Sequence, residues 1–259
     1  MPTWTRHLYE HNELAISKGE STGYEPIYKF GFNPDINGTE ETIWNQGGNY
    51  VWPTSAAVRY VSSSSTDDAS GGTGANSIRI FGLDADYNLI QEDITLTGQT
   101  QKVTQNSYLR IYRAYVTLSG STGTAQGTIY IADSGASSGV PDNAVYGNLG
   151  SSNQTLLGLY TVPAGYTLYL DDINFTASVS QANTYITCKF NVRDFGSNTF
   201  RSVVYIVLQS GTYIDKFHYP LRIPEKTDLE ARAFSSSNNN PVSVSWQGVL
   251  IKNDPTGNV

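Results

Sequence analysis

A single cysteine, Cys188, stands in a chain of 259 residues. It excludes an intrachain disulfide and any multi-cysteine metal site, so stability has to come from packing or assembly. Nowhere do about 18 uncharged apolar residues follow one another, and the opening Met1-Pro2-Thr3-Trp4-Thr5-Arg6 holds no apolar run of signal-peptide length; no membrane association is expected. Charge is scarce as well: 15% of residues are charged, with 16 Lys and Arg against 23 Asp and Glu, a net charge of −7. That field repels polyanions, which argues against nucleic acid as a partner. Convincing apolar repeats of period 3.6 are missing too, which excludes a helical architecture.

In their place the chain is rich in Gly, Ser, Thr and Asn and has 18 tyrosines, a mixture that favours strands and tight turns. Residues 1–53 show no period-2 alternation and scatter Trp4, Tyr9, Tyr24, Tyr28, Phe30, Phe32, Trp44 and Trp52 among Gly, Asn and Pro. This segment reads as an extended N-terminal arm. Its rings are too numerous to stay solvated, since burying each is worth about 1.5–3 kcal/mol, so they are expected to dock either on their own domain or on a partner.

From residue 54 to 135 short β-branched and aromatic runs (58–61, 77–81, 87–96, 108–118, 127–131) predict a first β-sandwich. Ile78 and Ile80 alternate with Arg79, and Ile111, Ala114, Val116 and Leu118 alternate with polar neighbours, as strands with one buried face should. Residues 136–153, dominated by Ser, Gly, Asn and Ala with Pro141 among them, read as a linker. Seven further runs (156–162, 166–177, 184–192, 201–208, 212–219, 229–234, 242–251) fill 154–259. They are separated by turns such as Pro163-Ala164-Gly165 and Gly196-Ser197-Asn198, and predict a second, jelly-roll-like sandwich. The fold class expected is all-β: two tandem β-sandwich domains preceded by the arm.

Residue types that carry chemistry are thinly spread. His7 and His11 are four apart but lie where no sustained helix is expected; they read as polar arm residues, a metal shared between subunits at a symmetry axis being the alternative. His218, between Phe217 and Tyr219, reads as a packed or surface residue. Gly71-Gly72-Thr73-Gly74 lacks the following Lys-Ser or Lys-Thr of a phosphate loop and reads as an ordinary loop. Asp84-Ala85-Asp86 lacks the later ligands of a calcium loop and reads as a hairpin tip whose carboxylates bind turn amides. The acidic pairs Asp67-Asp68, Glu92-Asp93 and Asp171-Asp172 cannot be placed in one cleft from spacing alone. Asn37-Gly38-Thr39, Asn153-Gln154-Thr155 and Asn174-Phe175-Thr176 match the glycosylation pattern, as a chain of this composition does by chance. No nucleophile elbow is evident, and Cys188, mid-strand, should be buried and inert. Neither enzymatic activity nor a cofactor is expected.

Two passages carry a resemblance. GFNPDINGTEETIWNQGGNYVWPTSA (31–56), followed by VSSSSTDDASGGTGANSIRIFGLDADYNLIQEDITLTGQT (61–100), resembles a group of structural proteins of tailed bacteriophages in which a Gly-Thr-Gly-Ala loop and a Gly-Leu-Asp turn recur in this order. YTVPAGYTLYLDDINFTAS (160–178) and LRIPEKTDLEARAFSSSNNNPVSVSWQGVLI (221–251) are similar to the C-terminal sandwich of the same group. The resemblance covers most of 31–251. It implies a capsid decoration or cement protein, made in the cytoplasm of a bacterial host and ending in the phage head. Such a protein would be a homotrimer that clamps neighbouring major capsid subunits, and contacts of this permanence bury roughly 2,000 Å² or more. Trp4, Tyr24, Tyr28, Phe30, Phe32 and Trp44 are then the candidate anchors, aromatics being enriched among interface hot spots. Two other readings fit the loops rich in Tyr, Asn and Ser: a tail, baseplate or head-fibre component that binds host glycans, and a jelly-roll carbohydrate-binding module or carbohydrate-active enzyme.

Overall fold

The computed structural model describes residues 12–179 and 181–253. Its elements run α1 (Asn12–Ser17), β1 (Tyr24–Ile36), β2 (Glu41–Thr42), β3 (Tyr60–Ser63), β4 (Ala75–Leu83), β5 (Leu89–Thr95), β6 (Lys102–Val103) and β7 (Arg110–Ser119). There follow β8 (Ile129–Ala132), β9 (Ala136–Ser137), β10 (Val140–Pro141), β11 (Val145–Leu149) and β12 (Leu159–Thr161). The last third holds β13 (Tyr166–Ala177), β14 (Ile186–Arg193), β15 (Arg201–Leu208), β16 (Gly211–Ile223), β17 (Asp228–Ser235) and β18 (Asn240–Lys252). The protein is all-β apart from the short α1, and no helix among the described residues is long and apolar enough to cross a membrane.

One unit consists of the sheet β1-β18-β13-β16 packed on the sheet β12-β17-β14-β15, with β2 beside β17. Count its eight main strands along the chain. The first pairs with the last (β1 with β18), the second with the seventh (β12 with β17), the third with the sixth (β13 with β16), and the fourth with the fifth (β14 with β15), always antiparallel. This nesting is one long hairpin rolled on itself, the jelly-roll arrangement. Alternation along β18 sends Val242, Val244, Trp246 and Leu250 inward, where they meet Phe175 and Ile173 of β13 and Phe190 of β14.

The second unit is inserted between β2 and β12. Sheet β11-β8-β3-β6 packs on sheet β5-β4-β7 around Ile78, Ile80, Ile94, Ile111, Ile129 and Ile131. The two units are therefore not consecutive in sequence: the roll takes its first strand from 24–36 and the rest from residues beyond 154. Trp44 and Tyr50 on the way into the insertion, and Leu157 and Leu159 on the way out, are packed in the inserted unit's core.

Two expectations about the chain's layout are corrected here. The segment read as an arm supplies β1, hydrogen-bonded along its length to β18. Its alternation is hidden because the inward positions hold Lys29, Gly31 and Asn33 while rings point outward. Gly31 has a specific reason to be glycine: a Cβ there would lie 2.5 Å from the Cα of Gly158 and 2.6 Å from the Ile43 carbonyl oxygen. Only a bare backbone lets β1 pass so close to the start of β12 and close the roll. The segment read as a linker, 136–153, contains β9, β10 and β11, and β11 extends the inserted sheet by pairing with β8. Its core side chains, Tyr146 and Leu149, flank Gly147 and Asn148, so the mean hydropathy is low although the strand is buried.

Candidate functional site

Two regions gather side chains that the two cores do not use. The first is the outer face of β1-β18-β13-β16. Because side chains alternate along a strand, Tyr24, Tyr28, Phe30 and Phe32 fall on one side of β1, opposite to the buried Lys29, Gly31 and Asn33. Register continues this face across the sheet: Tyr28 stands beside Gln247, which stands beside Asp172 and then Lys216, while Phe30 leads through Ser245 and Asn174 to Ile214. Tyr28 is 58% and Ile214 70% exposed, and the Tyr28 and Phe30 rings sit 6.0 Å apart. Helix α1 lies against β1 and buries Ala15 and Ile16. Between helix and sheet is a cavity of about 340 Å³ lined by Ile16, Pro26, Tyr28, Asp171, Gln247 and Val249. Burial, followed by the like charge of Asp172, raises the pKa of Asp171 at its edge.

Four of the six candidate anchors are thus brought together on one face. Trp44 is not among them: it is 3% exposed, its indole N–H donates to the Gly48 carbonyl at 3.0 Å, and its ring meets Tyr50 edge-on at 5.2 Å. It is a core residue of the inserted unit. Trp4 lies outside the described residues, as do His7 and His11.

The second region is the seam between the two units. On β17, Leu229, Ala231 and Ala233 face the core of the roll, so Asp228, Glu230 and Arg232 face the other way, toward the insertion. The Asp228 carboxylate accepts from Arg110 Nε (3.0 Å) and Nη2 (3.1 Å) of β7, from Arg193 Nε (3.1 Å) and Nη2 (2.5 Å) of β14, and from the Thr161 hydroxyl (2.5 Å). Arg110 also donates to the carbonyls of Pro53 and Leu109. Beside this cluster the buried Glu230 accepts from Thr42 Oγ1 (2.5 Å), Trp52 Nε1 (3.1 Å) and Arg232 Nη2 (2.9 Å). The Trp52 ring lies 5.1 Å from each of the Arg110 and Arg193 guanidinium carbons. Where the seam reaches solvent it opens into a cleft of about 320 Å³ flanked by Tyr87, Phe195 and Lys226.

Sequence reasoning missed this seam. Its one local signal is an acidic pair at i and i+2, Asp228 and Glu230, inside a strand otherwise fit for a core; the partner Arg110 lies 118 positions away.

The remaining carboxylates serve structure. Asp84 Oδ1 accepts the N–H groups of Asp86 and Asn88, both at 2.9 Å, which makes the expected hairpin tip. Asp68, next to the glycine-rich loop, accepts from the N–H groups of Ala75, Gln126 and Gly127 and from the Ser63 hydroxyl. Asp93 pairs with Arg79, both bonds 2.7 Å long. Cys188 is buried, and burial pushes its thiol up to about 12, leaving almost no thiolate at neutral pH. Among the described residues no three His, Cys, Asp or Glu side chains converge on a point that could hold a metal ion.

No family model and no curated protein matches the chain. Among solved structures, the structure of infectious bursal disease virus Gx strain is 10% identical over 91% of this chain and 74% of that one, with a TM-score of 0.22. The crystal structure of the infectious bursal disease virus VP2 subviral particle is 10% identical over 89% of this chain and 68% of that one, with a TM-score of 0.23. These similarities are weak.

Proposed function

We propose that this chain is a structural protein of a virus particle, a bacteriophage capsid decoration protein that binds neighbouring major capsid subunits as a homotrimer and does so through the outer aromatic face of β1. The observation that carries this reading is the row Tyr24, Tyr28, Phe30 and Phe32, set on the solvent side of a sheet whose other side is fully occupied by its own core. Rings held on a rigid strand lose little freedom on docking, and an apolar strip left exposed beyond what α1 covers is the kind of surface that marks an interface. Clamping requires geometry and buried area, with no turnover and no cofactor.

Tyr24 and Tyr28 are the most exposed of the four, so their removal leaves the core intact. The double variant Tyr24→Ala, Tyr28→Ala is expected to keep its melting temperature and to bind undecorated particles at least roughly 30-fold more weakly, the effect of losing about 2 kcal/mol at a hot spot. Co-sedimentation with particles over a concentration series measures this. Unchanged binding would remove the assigned role from β1. Copy number separates head from tail: hundreds of chains per particle fit decoration, a handful fit a tail or vertex protein.

A further inference from the structure

We infer that the cleft at the seam binds an acidic saccharide, a sugar ring that carries a carboxylate. The site goes beyond the docking role and lies by the sheet opposite to the β1 face, so either proposal can fail alone. Three turns build it. Tyr87 comes from the β4–β5 hairpin tip, Phe195 from the β14–β15 turn, and Lys226 from the β16–β17 turn. Tyr87 (φ 66°) and Lys226 (φ 60°) both adopt the left-handed conformation that side chains other than glycine rarely take. The hairpin tip is tied to the roll by the Ala164 N–H, which donates to the Tyr87 carbonyl at 3.0 Å.

The charges in the cleft are unevenly satisfied. Asp228 is fully engaged by two arginines, and Asp194 is paired with Arg201 at 3.4 Å. The ammonium of Lys226 has no hydrogen-bond acceptor or carboxylate partner among the described residues; its neighbours are the rings of Phe195 at 5.1 Å and Tyr87 at 5.7 Å. Arg193 directs Nε and Nη2 to Asp228, which leaves its Nη1 without a hydrogen bond among the described residues. Two cationic side chains with uncommitted N–H groups therefore line the cleft, the ammonium held near two rings. Phe195 meets the Tyr87 ring edge-on at 5.8 Å and is still 63% exposed, a large apolar surface left open at a turn tip. Thr54, Ser197 and Asn198 line the same cleft with hydroxyl and amide groups.

A ligand that satisfies all of this has a carboxylate for Lys226 and Arg193, an apolar face to stack on Phe195, and hydroxyls for the rim. An acidic sugar ring has these groups on one small frame. Purely apolar ligands would leave the ammonium desolvated, and a phosphate chain would find too few uncommitted cations. The cleft volume is at the small end of the roughly 300–1,000 Å³ typical of ligand sites, which suits a ring better than a length of polypeptide.

The test is calorimetric titration of the whole protein with a trisaccharide of uronic acids, with the matching neutral trisaccharide, with acetate and with a glutamate-rich peptide. The uronic trisaccharide is expected to bind at least tenfold more tightly than the other three. Lys226→Gln should abolish the preference over the neutral sugar, and Phe195→Ala should weaken both sugars, each with a melting temperature within a few degrees of the parent. Absence of uronic-acid binding, equal binding of acetate, tighter binding of the peptide, or a preference that survives Lys226→Gln would each overturn the proposal. Should either variant unfold, chemical-shift mapping on the unaltered protein decides: perturbations centred on Phe195 to Asn198 and Lys226 support the site, and perturbations elsewhere refute it.

Discussion

Replacing Asp228 with alanine is expected to destabilise the protein by about 3–5 kcal/mol, because it leaves Arg110 buried and Arg193 half-buried at the seam without their shared counter-charge. The side chains of Arg110 and Asp228 are each only 6% exposed, so water cannot take the place of the carboxylate. Thr161 loses its acceptor in the same step. The cost is a property of the broken network and not the net worth of the pair, which gives the prediction a second arm. In the double variant Asp228→Leu, Arg110→Met the two most deeply buried charges leave together; Arg193 stays, but at 20% exposure beside the cleft it keeps access to water, so part of the loss should be recovered. Urea denaturation of the two variants measures both. A single variant within about 1 kcal/mol of the parent would mean that the seam is wetter or looser than its geometry indicates.

Stability is also expected to rise as the pH is raised from 7 to 9, through Lys29. Its ammonium is buried under the seam on the inward side of β1 and donates to the Tyr112 carbonyl, with the Tyr112 ring 5.6 Å away. Burial, then repulsion from Arg113, lowers its pKa from 10.5 to about 7. The unfolded chain keeps this proton up to about 10.5, whereas the folded chain gives it up near 7, so folding releases a proton throughout the interval between. Where the unfolded state binds more protons, stability increases with pH, by up to about 1.4 kcal/mol per unit; over pH 7 to 9 that is roughly 2 kcal/mol. Below pH 7 both states carry the charge and the slope from this group vanishes. Above pH 9 the sign reverses in stages. Burial raises Cys188 to about 12 and Tyr112 to about 12, and raises Tyr160 as well, so these groups ionise first in the unfolded chain and favour it. Denaturation midpoints at half-unit pH steps should therefore climb and then fall, and the climb should be absent in Lys29→Met. A Lys29→Met variant with the same climb would assign it to other groups.

The strands of the jelly roll were legible where one face is apolar and turns punctuate the chain. Residues 166–177 and 201–208 coincide with β13 and β15, and the runs at 229–234 and 242–251 fall within β17 and β18. What hid β1 was inverted chemistry: its inward side chains are a lysine, a glycine and an asparagine, each needed for a local reason, and its rings face out. The rings do not share one fate, and sequence could not separate Trp44, which turns into the insertion's core, from Tyr24 and Tyr28, which stay exposed. The nested order of strands was not readable either, because pairing the first strand with the last requires contacts between residues about as far apart as the chain permits, such as Tyr28 with Gln247. The seam shares this property, since Arg110 and Asp228 acquire meaning only as a pair.

A cryo-EM map of the virus particle proposed to carry this protein tests the docking role most directly. It should show many symmetry-related copies with the Tyr24–Phe32 face of β1 pressed against the capsid shell and the seam cleft open to solvent. A map in which that face points away from every neighbour, or particles from which the protein is missing, would contradict it.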